Sequence, residues 1–98
     1  MDFRVIVTDQ AIEDLRSITS FLAKNDRVAA REFGEKLINK ALTLAKFPER
    51  GRVVPEINES TFREISLRPY RIIYEVDKIH DEVYIVRFWH SSRGEPII

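Results

Sequence analysis

The stretch Arg68-Pro-Tyr-Arg-Ile-Ile-Tyr-Glu-Val-Asp-Lys-Ile-His-Asp-Glu-Val-Tyr-Ile-Val-Arg-Phe-Trp-His-Ser-Ser-Arg93 decides the fold. Residues 70–76 and 82–90 are rich in β-branched and aromatic side chains, and a polar run containing His80 separates them. The segment therefore reads as two β-strands joined by a turn, with His80 solvated in that turn. In the last strand, Val83, Ile85 and Trp89 alternate to one side with Arg87 among them. Tyr84, Val86 and Phe88 alternate to the other, followed by His90. Both faces are apolar, so a single layer of helices leaves one uncovered. Two readings stand for that second face: a surface for a partner, or a seat for the preceding loop. The strand ends in His90-Ser-Ser-Arg93, and a strand end is a rigid platform for presenting side chains.

Working back from this hairpin, residues 62–67 read as a further strand. Short connections predict antiparallel pairing among the three. Phe47-Pro-Glu-Arg-Gly-Arg-Val-Val-Pro55 carries two prolines and a glycine and is expected, with residues 56–61, to be an ordered loop. Ala30, Phe33, Leu37, Ala41 and Leu44 form a helical stripe, predicting a helix over 27–46 that starts at the cap Asn25-Asp26. Gly34 lies inside it, where a small residue would let a neighbouring helix approach. Ile12, Leu15, Ile18 and Leu22, widened by Phe21, predict a first helix over 9–24 capped by Thr8. Phe3-Arg-Val-Ile-Val7 reads as a short strand. The expected fold class is α+β, with order β-α-α-β-β-β and a helical hairpin packed on one face of a small, mostly antiparallel sheet.

Ninety-eight residues suit a single domain, 1–98, with one small core. There is no cysteine, which excludes disulfides and thiolate metal sites and suits a reducing cytoplasm, the expected location. No apolar run is long enough to span a bilayer, and the N-terminus lacks the regions of a signal peptide. The 16 basic and 16 acidic residues cancel. A dedicated nucleic-acid binder draws its affinity from phosphate neutralisation and usually carries a basic excess. Residues 47–98 hold seven arginines, one lysine and nine acids, so any basic patch must arise by folding. Arginine suits bidentate pairing with carboxylate or phosphate, and structural ion pairs are the leading expectation.

The sequence contains no phosphate loop, dinucleotide fingerprint or nucleophile elbow. Two histidines ten residues apart, without cysteine, argue against a metal site, and no cofactor is implied. The usable chemistry is arginine, histidine and hydroxyl near the sheet. Arg63, Arg71, Arg87 and Arg93 are candidates to converge on a phosphate or an acidic surface. His90 is a candidate acid or base for phosphodiester cleavage. Tyr70, Tyr74 and Tyr84 are candidates to stack on bases.

At this point the chain resembles the ParE/RelE superfamily, the toxins of bacterial toxin–antitoxin pairs. The resemblance runs through Thr8-Asp-Gln-Ala-Ile-Glu-Asp-Leu15, Asn25-Asp-Arg-Val-Ala-Ala30, Phe47-Pro-Glu-Arg-Gly-Arg52, Arg63-Glu-Ile, Tyr70-Arg-Ile-Ile-Tyr74 and Trp89-His-Ser-Ser-Arg93. Each piece is weak alone; their order and spacing are specific. The superfamily holds two activities on one fold, so fold does not settle function. RelE-like members cleave messenger RNA in the ribosome, and ParE-like members inhibit DNA gyrase. The long helical hairpin, the Phe-Pro-Glu-Arg-Gly loop, the His-x-x-Arg ending and the neutral charge resemble the ParE-like branch. The resemblance implies growth inhibition through gyrase, with the ribosome and its mRNA, or a role only as an antitoxin-binding module, as alternatives. It implies a cognate antitoxin wrapping the toxin in a hetero-oligomer and no membrane partner. Residue by residue, it places catalytic candidates only at Tyr70, Arg71, His90 and Arg93; from the arginine reading above, Arg63, Arg87 and Arg93 are the expected target contacts. The apolar strand residues Tyr84, Val86, Phe88 and Trp89 are the expected antitoxin surface.

Overall fold

In the computed structural model, which describes residues 2–98, the chain runs through β1 (Arg4–Val7), α1 (Asp9–Ala23), α2 (Arg27–Leu42), β2 (Arg52–Val53), β3 (Phe62–Leu67), β4 (Tyr70–Asp77) and β5 (Glu82–His90). Single 3-10 turns follow α2 at Thr43–Ala45 and β5 at Ser91–Arg93. The helices begin where their caps stand. The Thr8 hydroxyl accepts from the Ala11 amide at 3.2 Å, and the Asp26 carboxylate from the Ala29 amide at 3.0 Å. The second helix is therefore shorter than the 27–46 expected, because its last turn tightens to 3-10 geometry. At the point where α1 and α2 cross, a Cβ on Gly34 would lie 2.9 Å from the Thr19 methyl, so the glycine permits the close approach.

The five strands lie in the order β1-β5-β4-β3-β2. β1 pairs parallel with the first half of β5, and the other neighbours are antiparallel. The expected β-α-α-β-β-β order with the helices on one face is found, with β2 added as a two-residue edge inside the segment read as loop. Ala11, Ile18, Leu37, Ala41 and Leu44 from the helical side pack against Ile72, Tyr74, Val76, Val83, Ile85 and Phe88 of the sheet. Phe21 is not part of this core; it is 66% exposed at the outer edge of α1.

The strand alternation read from the sequence is overturned near the end of β5. Tyr74 pairs with Ile85 but Ile73 pairs with Arg87, so Val86 is an extra residue, a β-bulge. Beyond it the two faces exchange. Phe88 joins the helix-side core, while Trp89 joins Val54 and Ile73 on the opposite side, with Val86 packed beside them.

That opposite side is not open. The segment after α2 folds across it: Val54 is fully buried, and Ile57 and Phe62 pack against the Trp89 cluster. Of the two readings of the second face, the covering loop prevails. Polar contacts fasten the cover. Arg71 donates to both carboxylate oxygens of Glu56 at 3.0 and 2.7 Å, and through Nε to Glu64 at 2.8 Å. Arg52 donates to the other Glu64 oxygen at 2.7 Å. The Gly51 amide donates to the Tyr74 hydroxyl at 3.0 Å; a Cβ there would fall 2.4 Å from the Glu64 carbonyl oxygen, which only glycine avoids.

The Arg71 fork lowers the Glu56 carboxyl to about 2. A folded-state value below the unfolded one stabilises the protein above the unfolded value and is lost as pH falls through the folded one. The pair's contribution is therefore present above about 4.5 and fades toward pH 2. After allowance for partial exposure it amounts to about 1–2 kcal/mol. Glu56→Gln is expected to lower urea stability by that amount at pH 7, and the gap from the unsubstituted protein should close as pH approaches 2. A gap independent of pH would show that the ion pair does not fasten the cover.

Candidate functional site

The four arginines singled out from the sequence are not brought together. Arg71 lies under the loop, bound to Glu56 and Glu64. Arg63, near the β2 edge, donates to the Gly51 carbonyl at 2.9 Å and lies 3.7 Å from Glu49. Arg87 faces α1, where Nε and Nη2 donate to Asp14 at 2.8 and 2.9 Å, and Nη1 donates to the Ile97 carbonyl at 2.7 Å. Three of the four are held in structural pairs, and the leading expectation for the arginines holds for them.

Arg93 differs. Its guanidinium lies 4.1 Å over the Trp89 ring, and it joins none of the ion pairs formed among the described residues. Beside it stand Tyr70 and His90, paired across β4 and β5 with their rings edge to face at 5.0 Å. Phe33 of α2 supports Tyr70 from behind at 5.7 Å. These residues, with Asp14, Ser17 and Phe21 of α1, line a cleft of about 190 Å3 at the end of β5. Burial raises the Tyr70 phenol above its ordinary value, so it remains a protonated donor.

The state of His90 follows from its partners. The ring caps the 3-10 turn after β5: Nδ1 accepts from the Ser92 amide at 3.1 Å, with the Ser92 hydroxyl at 2.8 Å. A backbone amide only donates, so Nδ1 keeps its lone pair and the neutral ring carries its proton on Nε2. In this arrangement His90 offers a donor to the cleft; its basic nitrogen is occupied. The Ser91 amide donates to the Pro69 carbonyl at 2.9 Å and ties the turn to the start of β4.

Two of the four strand residues expected to face a partner are not available to one. Phe88 is buried beneath α1 and Trp89 is 1% exposed, with its indole N–H donating to the Gly94 carbonyl at 3.1 Å. The bulge and the covering loop account for this. Tyr84 and Val86 remain half-buried. His80 is exposed as expected, with Nδ1 2.8 Å from Asp77, which raises its ordinary value.

Asp14 went unnoticed in the sequence. It is 8% exposed and also accepts from the Phe88 amide at 3.0 Å, capping the free edge of β5 beyond the end of β1. Its signal was its position: an acid on the same stripe as Ala11 and Ile18 must find a partner across the core. Among the described residues no cluster of three metal-ligating side chains occurs, and no helix is long and apolar enough to cross a membrane.

Sequence and fold both match known proteins. The family described as ParE toxin of type II toxin–antitoxin system, parDE, matches residues 5–94. Toxin RelE2 of Caulobacter vibrioides is 33% identical over 92 residues, spanning 92% of this chain and 97% of that protein. The chain belongs to the ParE toxin family, within the ParE/RelE superfamily of type II toxin–antitoxin toxins. Two solved structures share the fold. The chromosomal ParDE system from P. aeruginosa has a TM-score of 0.76 at 18% identity, covering 90% of this chain and 95% of that one. The RelBE2 toxin–antitoxin complex from Mycobacterium tuberculosis has a TM-score of 0.70 at 22% identity, covering 92% and 99%.

Proposed function

We propose that this toxin arrests growth through DNA gyrase and that a cognate antitoxin neutralises it in a hetero-oligomer. The observation that carries the reading is the pairing of the arginines. A ribosome-dependent nuclease stabilises the charge developing on a phosphodiester with several convergent cations. Here Arg63, Arg71 and Arg87 are bound to carboxylates and carbonyls on different sides of the sheet. Only Arg93 stays unpaired among the four, and His90 stands as a donor rather than a base. Zero net charge adds no electrostatic pull toward ribosomal RNA.

A second reading, RelE-like cleavage of mRNA, draws on the gathering of Tyr70, His90 and Arg93 around one cleft. Both targets place the toxin in the cytoplasm. For the antitoxin, the groove between the helices, about 730 Å3 and lined by Leu15, Thr19, Ala23, Ala30, Gly34 and Ile38, suits an amphipathic helix. The half-buried Tyr84 and Val86 offer a lesser contact on the sheet.

Purified toxin freed of its partner is expected to abolish supercoiling of plasmid by gyrase and ATP, with cleaved plasmid accumulating. Unchanged supercoiling by a folded protein that still arrests cells would overturn the gyrase reading and direct attention to mRNA in translating ribosomes.

A further inference from the structure

We propose that the cleft at the end of β5 receives a single acidic side chain, Asp or Glu, presented by the protein target. This inference deepens the gyrase reading and rests on it in taking the target to be a protein. Four residues lining the cleft carry a donor with no protein acceptor among the described residues: Arg93, whose guanidinium lies on the adjoining Trp89 ring within reach of the cleft mouth by rotation of its side chain, His90 through Nε2–H, and Tyr70 and Ser17 through their hydroxyls. The one carboxylate in the wall, Asp14, is saturated by Arg87, the Phe88 amide and Gln10, so it offers no competing acceptor. Unmet donors of this kind, with one fixed positive charge, match a planar anion bearing one negative charge.

The apolar part of the cleft selects the kind of anion. Ile18 and Phe88 form its floor and Phe21, exposed at the rim, gives a contact for the methylenes of an acidic side chain or for an apolar neighbour. Lys24 sits 5.8 Å over the Phe21 ring and adds positive charge to the approach. A polynucleotide brings further phosphates on either side of the one bound, which need a track of free cations. The nearby Arg87 is closed off by Asp14 and Ile97. The volume of about 190 Å3 accommodates a carboxylate side chain.

The donors are held near the cleft independently of a ligand. Trp89 carries Arg93 on its face and is itself pinned by Gly94, His90 is set by Ser92, and Tyr70 by Phe33. Little ordering therefore remains to oppose binding.

The test follows the side-chain resonances of His90 and the Trp89 indole in the whole, nitrogen-labelled chain. Three probes are titrated in: acetyl-Leu-Glu-Leu-amide, its Gln counterpart, and a short single-stranded RNA. The Glu peptide is expected to shift His90 in a saturable manner, with the Gln peptide at least about tenfold weaker. Arg93→Gln should weaken the Glu peptide by about tenfold or more, and Tyr70→Phe by a smaller factor, with the Trp89 resonance confirming that each variant is folded. Equal binding of the Glu and Gln peptides, no shift with either, or a response to RNA alone would each overturn the proposal. Supercoiling is read separately. Gyrase inhibition without peptide binding removes the pocket and leaves the gyrase reading; peptide binding without gyrase inhibition does the reverse.

Discussion

Replacing Asp14 by alanine is expected to destabilise the protein by about 3–5 kcal/mol, the range for removing one partner of a buried ion pair. Three losses act together. Arg87, which is largely buried, keeps only the Ile97 carbonyl as a hydrogen-bond acceptor, beside its contact with the Trp89 ring. The Phe88 amide, buried at the free edge of β5, loses its only acceptor outside the sheet. The core also loses volume where α1 meets the strand. For a domain of this size the melting temperature should fall by about 15–30 °C. The pair need not be stabilising as a pair, because taking two charges out of water costs about as much as their attraction returns. Replacing both residues by leucine is therefore expected to recover most of the loss, and Arg87→Leu alone to remain low. Urea melts of the two single variants and the double variant measure the coupling. If Asp14→Ala melts within about 1 kcal/mol of the unsubstituted protein, Asp14 is not the fastening between helix and strand.

The same contact explains what was legible in the sequence. Helix and strand positions were set by local signals: the stripes through Leu15 and Leu37, the caps Thr8 and Asp26, and the β-branched runs of β3 to β5. The loop over 47–61 with its prolines was equally local, though not the face it would cover. The bulge at Val86 was not. Residues 83–89 are apolar on both sides, so alternation alone cannot reveal an extra residue. Asp14, 74 positions earlier in the chain, meets the Phe88 amide at this edge, and no local pattern records that meeting. The arginines failed for the same reason. Arg71 and Arg87 find their acids 15 and 73 residues away, and a sequence shows charge balance without showing who pairs with whom. The cleft was legible in part: Tyr70, His90 and Arg93 were singled out and do meet, while Ser17 and Phe21 look like ordinary helix residues until the fold sets them opposite the strand end.

Trp89 distinguishes a structural role from a partner contact most sharply. Its ring is 1% exposed, packs with Val54 and Ile73, and donates its indole N–H to Gly94. The guanidinium carbons of Arg93 and Arg87 lie 4.1 and 4.9 Å from its centroid. Truncation to alanine is expected to cost about 3–5 kcal/mol, as for a large aromatic removed from a core. It should also free the covering loop, since Val54 loses the surface it rests on. Trp89→Leu keeps part of the apolar volume but removes the indole hydrogen bond and both cation–π contacts. It should lose about 2–4 kcal/mol, by the sum of the lost ring volume, one buried hydrogen bond and partly exposed cation–π pairs. Its distinctive effect is on the cleft: Arg93 no longer has a ring to lie on, so binding of the acidic peptide should weaken even where Trp89→Leu remains folded. A surface tryptophan kept for an antitoxin would behave in the opposite way, with unchanged urea stability and a weakened complex. Measured together, urea stability and antitoxin affinity of the two variants separate the roles: loss of affinity at full stability would restore Trp89 to the partner surface.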